Sequence, residues 1–222
     1  MENEAASGVK RVLVASAYIL FVMLVITVVG WIMIPDGQRI VTHTNHMGQP
    51  DGYSSKAVGL LGLPIFALIL AGILVLLARI ENLSSVVTVL WVAAMTPFVV
   101  LQGLTVWTAL GRKADMNAII WGTFGLLLIV VGNYFPKLRR NRISGIRTPW
   151  TLSSELSWNK THRIGGKLTV LYGLVILVCA FLLDSMALIH VIVGMGLPYV
   201  IFLFIYSYVI WKGDSGRSSL SM

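Results

Sequence analysis

Cysteine is almost absent from this chain. Cys179 is the single cysteine among 222 residues. One thiol cannot form an internal disulfide, and it cannot build a zinc site from several thiolates. It falls inside an apolar run, where a free cysteine behaves as a small hydrophobic side chain. We therefore expect no cofactor bound through sulfur, and we predict no resident cofactor.

Charged residues are also scarce. They make up only 12% of the chain, with nine acidic residues, and 57% of the residues are hydrophobic. Soluble domains carry about 25% charged residues. Apolar runs close to the roughly 20 residues needed to cross a bilayer recur along the chain. The runs are continuously apolar instead of alternating, which excludes a membrane barrel. The sequence predicts an all-α polytopic membrane protein.

Six segments are predicted to span the membrane. They are residues 12–34, 57–78, 86–110, 117–134, 168–183 and 186–211. The first is too long for the apolar region of a signal peptide and is predicted to be a retained helix. We divide the chain into an N-terminal half, 1–115, with an ordered extracytoplasmic loop at 35–56. A second membrane half, 116–212, carries a polar loop at 136–167, and 213–222 form a flexible tail.

The distribution of positive charge predicts the topology. Six helices place both termini on one side. If that side is cytoplasmic, 13 of the 17 Lys and Arg residues are inside, and the other four, Arg39, Lys56, Arg112 and Lys113, are outside. This agrees with the positive-inside rule. We predict cytoplasmic termini in a multi-pass protein of the inner (cytoplasmic) membrane. The net charge of +8 then reflects topology and does not indicate nucleic-acid binding.

The loop at 136–167 is the longest stretch that cannot lie in the membrane. It begins with a basic run expected to contact anionic lipid. Thr148 followed by Pro149 predicts a helix start. We predict an amphipathic cytoplasmic helix over 149–164, between helices four and five, lying in the headgroup layer. Gly165-Gly166 is predicted to end it. Its proposed functional face is Thr151, Glu155, Trp158 and His162.

Several polar groups leave chemical alternatives open. His43, His46 and Asp51 are able to ligate zinc, or simply to form hydrogen bonds. His162 and Glu155 suggest an acid–base pair, or residues that orient each other or pair with Arg147 or Arg163. Three polar residues fall inside apolar runs and either mark a transport pathway or bridge helices. They are Gln102, Asn133 and His190.

Two motifs resemble known families. The string Asn141-x-x-Ser-Gly145-Ile-Arg147-Thr148-Pro149-Trp150-Thr-Leu, followed by Glu155, Trp158, His162-Arg163 and Gly165-Gly166, resembles the SdpI family of bacterial integral membrane proteins. The first loop resembles a small N-terminal membrane domain often joined to SdpI-type halves. Its matching residues are His43, Asn45, Gly48, Asp51, Gly52 and Lys56.

The resemblance implies a function without catalysis. The founding member of the family is an immunity protein against a secreted cannibalism toxin, and it also sequesters a cytoplasmic repressor. The resemblance therefore implies a membrane immunity protein that contacts lipids and an extracytoplasmic peptide toxin, with a cytoplasmic transcriptional repressor as a further partner. The two alternatives are a transporter, whose Gln102, Asn133 and His190 would face one cavity, and a membrane metalloenzyme using His43, His46 and Asp51.

Overall fold

The computed structural model describes residues 2–45, 49–80, 85–141 and 144–216. Six of its helices are long and apolar enough to cross a membrane, which confirms the predicted all-α polytopic class. The elements are α1 Glu2–Met33, β1 Ile40–Thr44, β2 Pro50–Ser54, α2 Lys56–Ile80, α3 Ser85–Ala109, α4 Met116–Tyr134, α5 Pro149–Ser153, α6 Glu155–Leu182 and α7 Ser185–Lys212. The chain forms two compact units, Met1–Thr123 and Phe124–Met222.

The first unit is held together by an apolar core and one buried amide. Ile19, Met23, Ala67 and Met95 pack together from α1, α2 and α3. Gln102 of α3 is fully buried. Its Nε2 donates to Thr27 Oγ1 of α1 and to the Leu60 carbonyl of α2, both at 2.9 Å. A polar group in an apolar bundle must find partners, and here these partners join three helices.

The ordered loop predicted at 35–56 contains a β-hairpin. β1 and β2 are antiparallel, with Ile40 opposite Ser54 and His43 opposite Gly52. Ile40 is buried and packs with Ile34, Leu60 and Val106 of the helices beneath. This contact fixes the base of the hairpin to the helices. Two strands of five residues add a small sheet to the helical fold.

Lys56 fixes the other end of the same loop. Its Nζ lies 2.8 Å from Asp36 Oδ1 and 5.4 Å from the centre of the Trp31 ring. The hydrogen bond from Lys56 and its positive charge lower the pKa of Asp36 from its ordinary value. The loop therefore begins and ends at one charged contact next to an aromatic ring.

The separate amphipathic helix predicted at 149–164 does not exist. α5 has only five residues, and α6 starts at Glu155 and runs through Gly165-Gly166 to Leu182. Ser154 separates the two in an extended conformation, and its side chain accepts a hydrogen bond from Ser157 N. The prediction was wrong because neither glycine adopts the positive φ of a helix-ending residue. Both are packing positions instead.

Glycines bring α4 and α6 into backbone contact. A Cβ on Gly132 would lie 2.6 Å from the Gly166 carbonyl oxygen, and a Cβ on Gly166 would lie 2.5 Å from the Gly132 carbonyl oxygen. Gly125 and Gly173 form a second reciprocal pair two helical turns away. Small residues at such crossings let membrane helices approach closely and gain van der Waals contact. This packing, and not helix termination, is the reason for Gly166.

We expect Gly132→Ala to destabilise the second unit by about 1–3 kcal/mol, because the added methyl group meets backbone atoms that cannot rotate away. Gly194→Ala in α7 is the control, since a Cβ there has no atom within 4 Å. Thermal unfolding in detergent measures both variants. The predicted result is a lower melting temperature for Gly132→Ala alone. Equal melting temperatures would contradict the close-packing account.

Candidate functional site

The motif loop, defined as residues 138–154, is attached to α6 through His162. His162 is buried, and its Nε2 accepts a hydrogen bond from the Ile146 N–H at 2.9 Å. Its Nδ1 lies 2.9 Å from the Trp158 carbonyl oxygen. Nε2 therefore carries no proton and Nδ1 donates, which defines one neutral tautomer. The imidazole also stacks on the Trp158 ring, with 4.0 Å between ring centres.

Gly145 is required by this contact. Its φ of +109° lies in the region that favours glycine. A Cβ at this position would overlap His162 Nε2. Gly145 and His162 of the motif are thus in close contact, although they are 17 residues apart in the sequence.

Thr148 and Thr151 form the next layer of the site. Thr148 Oγ1 accepts from Thr151 N at 3.1 Å, and Thr151 Oγ1 accepts from Thr148 N at 2.9 Å. With Pro149 in the first turn, this is the helix start that the sequence predicted. Thr151 is fully buried, and its hydroxyl also donates to the Ile146 carbonyl at 2.8 Å. The short helix α5 and the Ile146 backbone are held by the same hydroxyl.

Serines attach this layer to α7. Thr148 Oγ1 donates to Ser207 Oγ at 3.0 Å, and Ser157 Oγ donates to the Ser207 carbonyl at 2.8 Å. Ser154 Oγ donates to Asp214 Oδ2 at 2.6 Å. Ser154, Ser157 and Ser207 were missed by the sequence analysis. For Ser154 and Ser157, the signal was their spacing with Thr161 and Gly165 along one face of α6, which is small or polar but buried.

Trp158 closes the base of the loop. Its Nε1 donates to the Leu138 carbonyl at 2.7 Å, and the side chain is fully buried. Its indole N–H satisfies the backbone at the loop start, and the placement of this residue in the headgroup layer stays a prediction. Trp150 packs against Phe204 and Tyr208 of α7. Asn141 Oδ1 accepts a hydrogen bond from Ser144 N at 2.8 Å.

The predicted pairing of His162 with Glu155, Arg147 or Arg163 is wrong, because the backbone occupies both imidazole nitrogens. Arg147, Glu155 and Arg163 are exposed. The motif therefore divides into buried side chains that fix the loop and exposed side chains at its surface. The expected common face of Glu155, Trp158 and His162 does not form.

A second candidate site lies under the hairpin in the first unit. It is a cavity of about 390 Å³ between β1, the start of α2, α3 and the first turns of α4. The lining is mostly apolar and includes threonine side chains. The lining residues are Val41, Thr42, His43, Thr44, Val58, Gly59, Gly62, Leu63, Leu101, Thr105, Met116 and Ile120. A cavity of this size and polarity suits an apolar ligand group.

The hairpin residues predicted for this site take three roles. His43 Nδ1 lies 2.5 Å from Asp51 Oδ1, and both side chains are exposed. Gly52 faces His43, and a Cβ there would lie 2.8 Å from His43 Cβ. Asn45 Oδ1 accepts from Gln49 N at 3.0 Å. His46 and Gly48 lie outside the described residues. Of the three residues in the zinc hypothesis, His43 and Asp51 are therefore described, and their side chains are hydrogen-bonded to each other.

Comparison with known proteins identifies the motif. Residues 137–209 match the model of the SdpI/YfhL protein family. The chain carries an SdpI family domain. Residues 18–68 match DUF1648, a domain of unknown function, which covers the hairpin. Both resemblances inferred from the sequence are thereby confirmed.

One curated relative is the Immunity protein SdpI of Bacillus subtilis (strain 168). It is 33% identical over 102 residues, which is 46% of this chain and 49% of that protein. The match thus spans about half the length of the curated relative. No solved structure matches the chain.

The three intramembrane polar groups have separate local roles. Gln102 bridges helices, as one of the two alternatives predicted. Asn133 Nδ2 donates to the Ile129 carbonyl at 2.8 Å, and His190 Nδ1 lies 2.7 Å from the Met186 carbonyl. Both of these side chains are exposed and are satisfied by their own helices. These contacts favour structural roles over a transport pathway.

We expect Thr151→Val to destabilise the SdpI family domain by about 1–3 kcal/mol, because the Ile146 carbonyl and the Thr148 N–H lose a buried partner. Thr96→Val is the matched control. Its hydroxyl is exposed and donates only within its own helix, to the Val92 carbonyl. Thermal unfolding and limited proteolysis between residues 138 and 154 measure the effect. Identical behaviour of the two variants would contradict a fixed motif loop.

Proposed function

We propose that this chain is a membrane immunity protein that protects the cell carrying it against a secreted antimicrobial peptide. The observation that carries the proposal is the SdpI family domain, whose matched residues 137–209 include the whole motif loop. The identity to a protein named for immunity adds support. Two structural features support the proposal, a hairpin over a cavity in the first unit and a loop in the second unit that is held by buried hydrogen bonds.

We propose that the outer hairpin binds the peptide toxin. A peptide that acts on membranes needs apolar side chains, and the cavity under β1 offers an apolar lining of matching character. The cavity contacts α2 and α3 near their hairpin ends, where the charge distribution predicts the extracytoplasmic face. An apolar side chain of the peptide inserted there would leave the lipid and contact the cavity walls instead. We propose that this removes the toxin from the bilayer.

The motif loop would serve a signalling role on the other face. Its buried contacts fix the backbone, and exposed Arg147 of the loop with exposed Glu155 at the start of α6 provides charged groups at the surface. A rigid charged surface of this kind suits capture of a cytoplasmic transcriptional repressor. We propose Arg147 as its electrostatic anchor. Full repressor recruitment and full protection by Arg147→Ala at normal membrane abundance would contradict that role.

A protection assay tests the proposal and locates its outer site. The chain is expressed in a bacterium without its own immunity gene, the family's toxin peptide is added, and membrane potential is followed. We expect wild-type cells to keep their potential. We expect Gly62→Leu to lose most protection, because Gly62 lines the cavity and the new side chain would fill it.

Gly72→Leu is the control for this experiment. Gly62 and Gly72 both lie in α2, and at each position an added Cβ has no atom within 4 Å. Gly72 is not part of the cavity lining. Loss of potential in wild-type cells at confirmed abundance would contradict immunity. Equal protection by the two variants would contradict the cavity as the toxin site and leave immunity intact.

A further inference from the structure

A basic cleft lies between α6 and α7 in the second unit. Its lining is Lys160, Arg163, Ile164 and Lys167 of α6 with Tyr206 of α7, and its volume is about 280 Å³. The cleft lies beside the motif loop network and shares no residue with it. None of the hydrogen bonds described above uses its three cations.

The cleft concentrates positive charge without a protein counter-charge. Lys160, Arg163 and Lys167 are spaced by three and four residues, which places them on one side of a helix. All three are exposed. Within the described part of the chain, no carboxylate lies within ion-pair distance of them, whereas Lys56 is paired with Asp36. Three neighbouring cations repel one another, and a bound anion would remove that repulsion.

The surroundings of the cleft favour an amphiphilic anion. The same side of α6 continues from Lys167 into Leu171, Leu174 and Val178, which are exposed apolar residues at helical spacing. Ile164 and the Tyr206 ring provide an apolar contact next to the charges. A free phosphate would use only the cations. An anionic phospholipid would use the cations for its phosphate and the leucine stripe for an acyl chain.

The depth of the cleft agrees with a headgroup. Tyr206, Tyr208 and Trp211 lie at the end of α7, and aromatic residues of this kind are typical of the boundary between membrane and water. Lys212 follows in the last turn. The cleft therefore lies where the apolar part of both helices ends, on the side that the charge distribution predicts to be cytoplasmic. Anionic lipid headgroups attract lysine and arginine at this depth.

We propose that the basic cleft is a binding site for the phosphate headgroup of an anionic phospholipid, with an acyl chain along the α6 stripe. The bound lipid contacts both α6 and α7, the two helices to which the motif loop is attached. Its occupancy stabilises the domain that carries the loop. The proposal does not depend on the immunity function.

The test uses the full chain purified in neutral detergent. Short-chain phosphatidylglycerol, phosphatidylcholine and inorganic phosphate are titrated separately, and the unfolding temperature gives the binding curve. We expect phosphatidylglycerol to raise the unfolding temperature and the other two to have little effect. In the triple variant Lys160→Gln, Arg163→Gln, Lys167→Gln, we expect phosphatidylglycerol binding to weaken by about tenfold or more.

The matched control removes three charges outside both the cleft and the basic run, in the first unit, as Arg39→Gln, Arg112→Gln, Lys113→Gln. These three cations are also exposed. We expect this variant to bind phosphatidylglycerol as the wild type does. Equal weakening in both triple variants would overturn the proposal in favour of a general charge effect. If the triple cleft variant does not fold, phosphatidylglycerol binding is measured on the single variant Arg163→Gln instead.

Two other results would also overturn the proposal. An equal response to inorganic phosphate would identify a free anion as the ligand. Stronger binding of an acidic peptide such as polyglutamate than of phosphatidylglycerol would identify the cleft as a surface for an acidic protein segment. Preference for phosphatidylglycerol that is lost only with the cleft cations supports the lipid site.

Discussion

The second unit depends on one imidazole held between two backbone groups. His162 accepts from Ile146 N–H and donates to the Trp158 carbonyl, so it connects the motif loop to α6 through a single neutral ring. An unpaired backbone group in a buried position is costly, and this ring satisfies one from each segment. Gly145 leaves the space for the ring, and Trp158 stacks on it. The glycine, the histidine and the tryptophan of the motif therefore serve one structural purpose.

The hydroxyl network extends this attachment to α7. Thr148, Thr151, Ser157 and Ser207 carry hydrogen bonds among the loop, α6 and α7, all of them buried. A fully satisfied polar network in a membrane protein fixes one arrangement, because any slip would leave buried donors without partners. The network therefore holds residues 146–151 of the loop against α6 and α7. The exposed charge of Arg147 is carried by this part of the backbone.

Much of the fold followed from hydropathy alone. The six spans could be predicted because runs of about 20 apolar residues have one physical solution in a bilayer. The helix start at Thr148-Pro149 could be predicted because capping is local. Gly165-Gly166 was misjudged because a glycine that ends a helix and one that permits close packing look the same in sequence. The deciding fact is the presence of Gly132 on a neighbouring helix, which sequence spacing does not reveal.

The structure brings three residues of the motif together, Gly145, Trp158 and His162, but it buries two side chains that were expected at a surface. His162 and Trp158 were expected at a surface, since amphipathic spacing does not say which face is buried. Here the polar face is inside, because it satisfies the backbone of the motif loop. The hairpin was predicted as an ordered loop, but its strands are short and lack the alternation that marks a sheet. Pairing of Ile40 with Ser54 is a tertiary outcome of the burial of Ile40.

Amide hydrogen exchange at Ile146 measures whether His162 attaches the motif loop to α6. We predict that this N–H, although it lies in a loop, exchanges about as slowly as amides in the middle of α6, because it donates a hydrogen bond to the buried His162 ring. We expect His162→Phe to speed up exchange of the Ile146 amide while the amides in the middle of α6 stay protected. Exchange of the wild-type Ile146 amide at the rate of an unstructured loop would contradict the account.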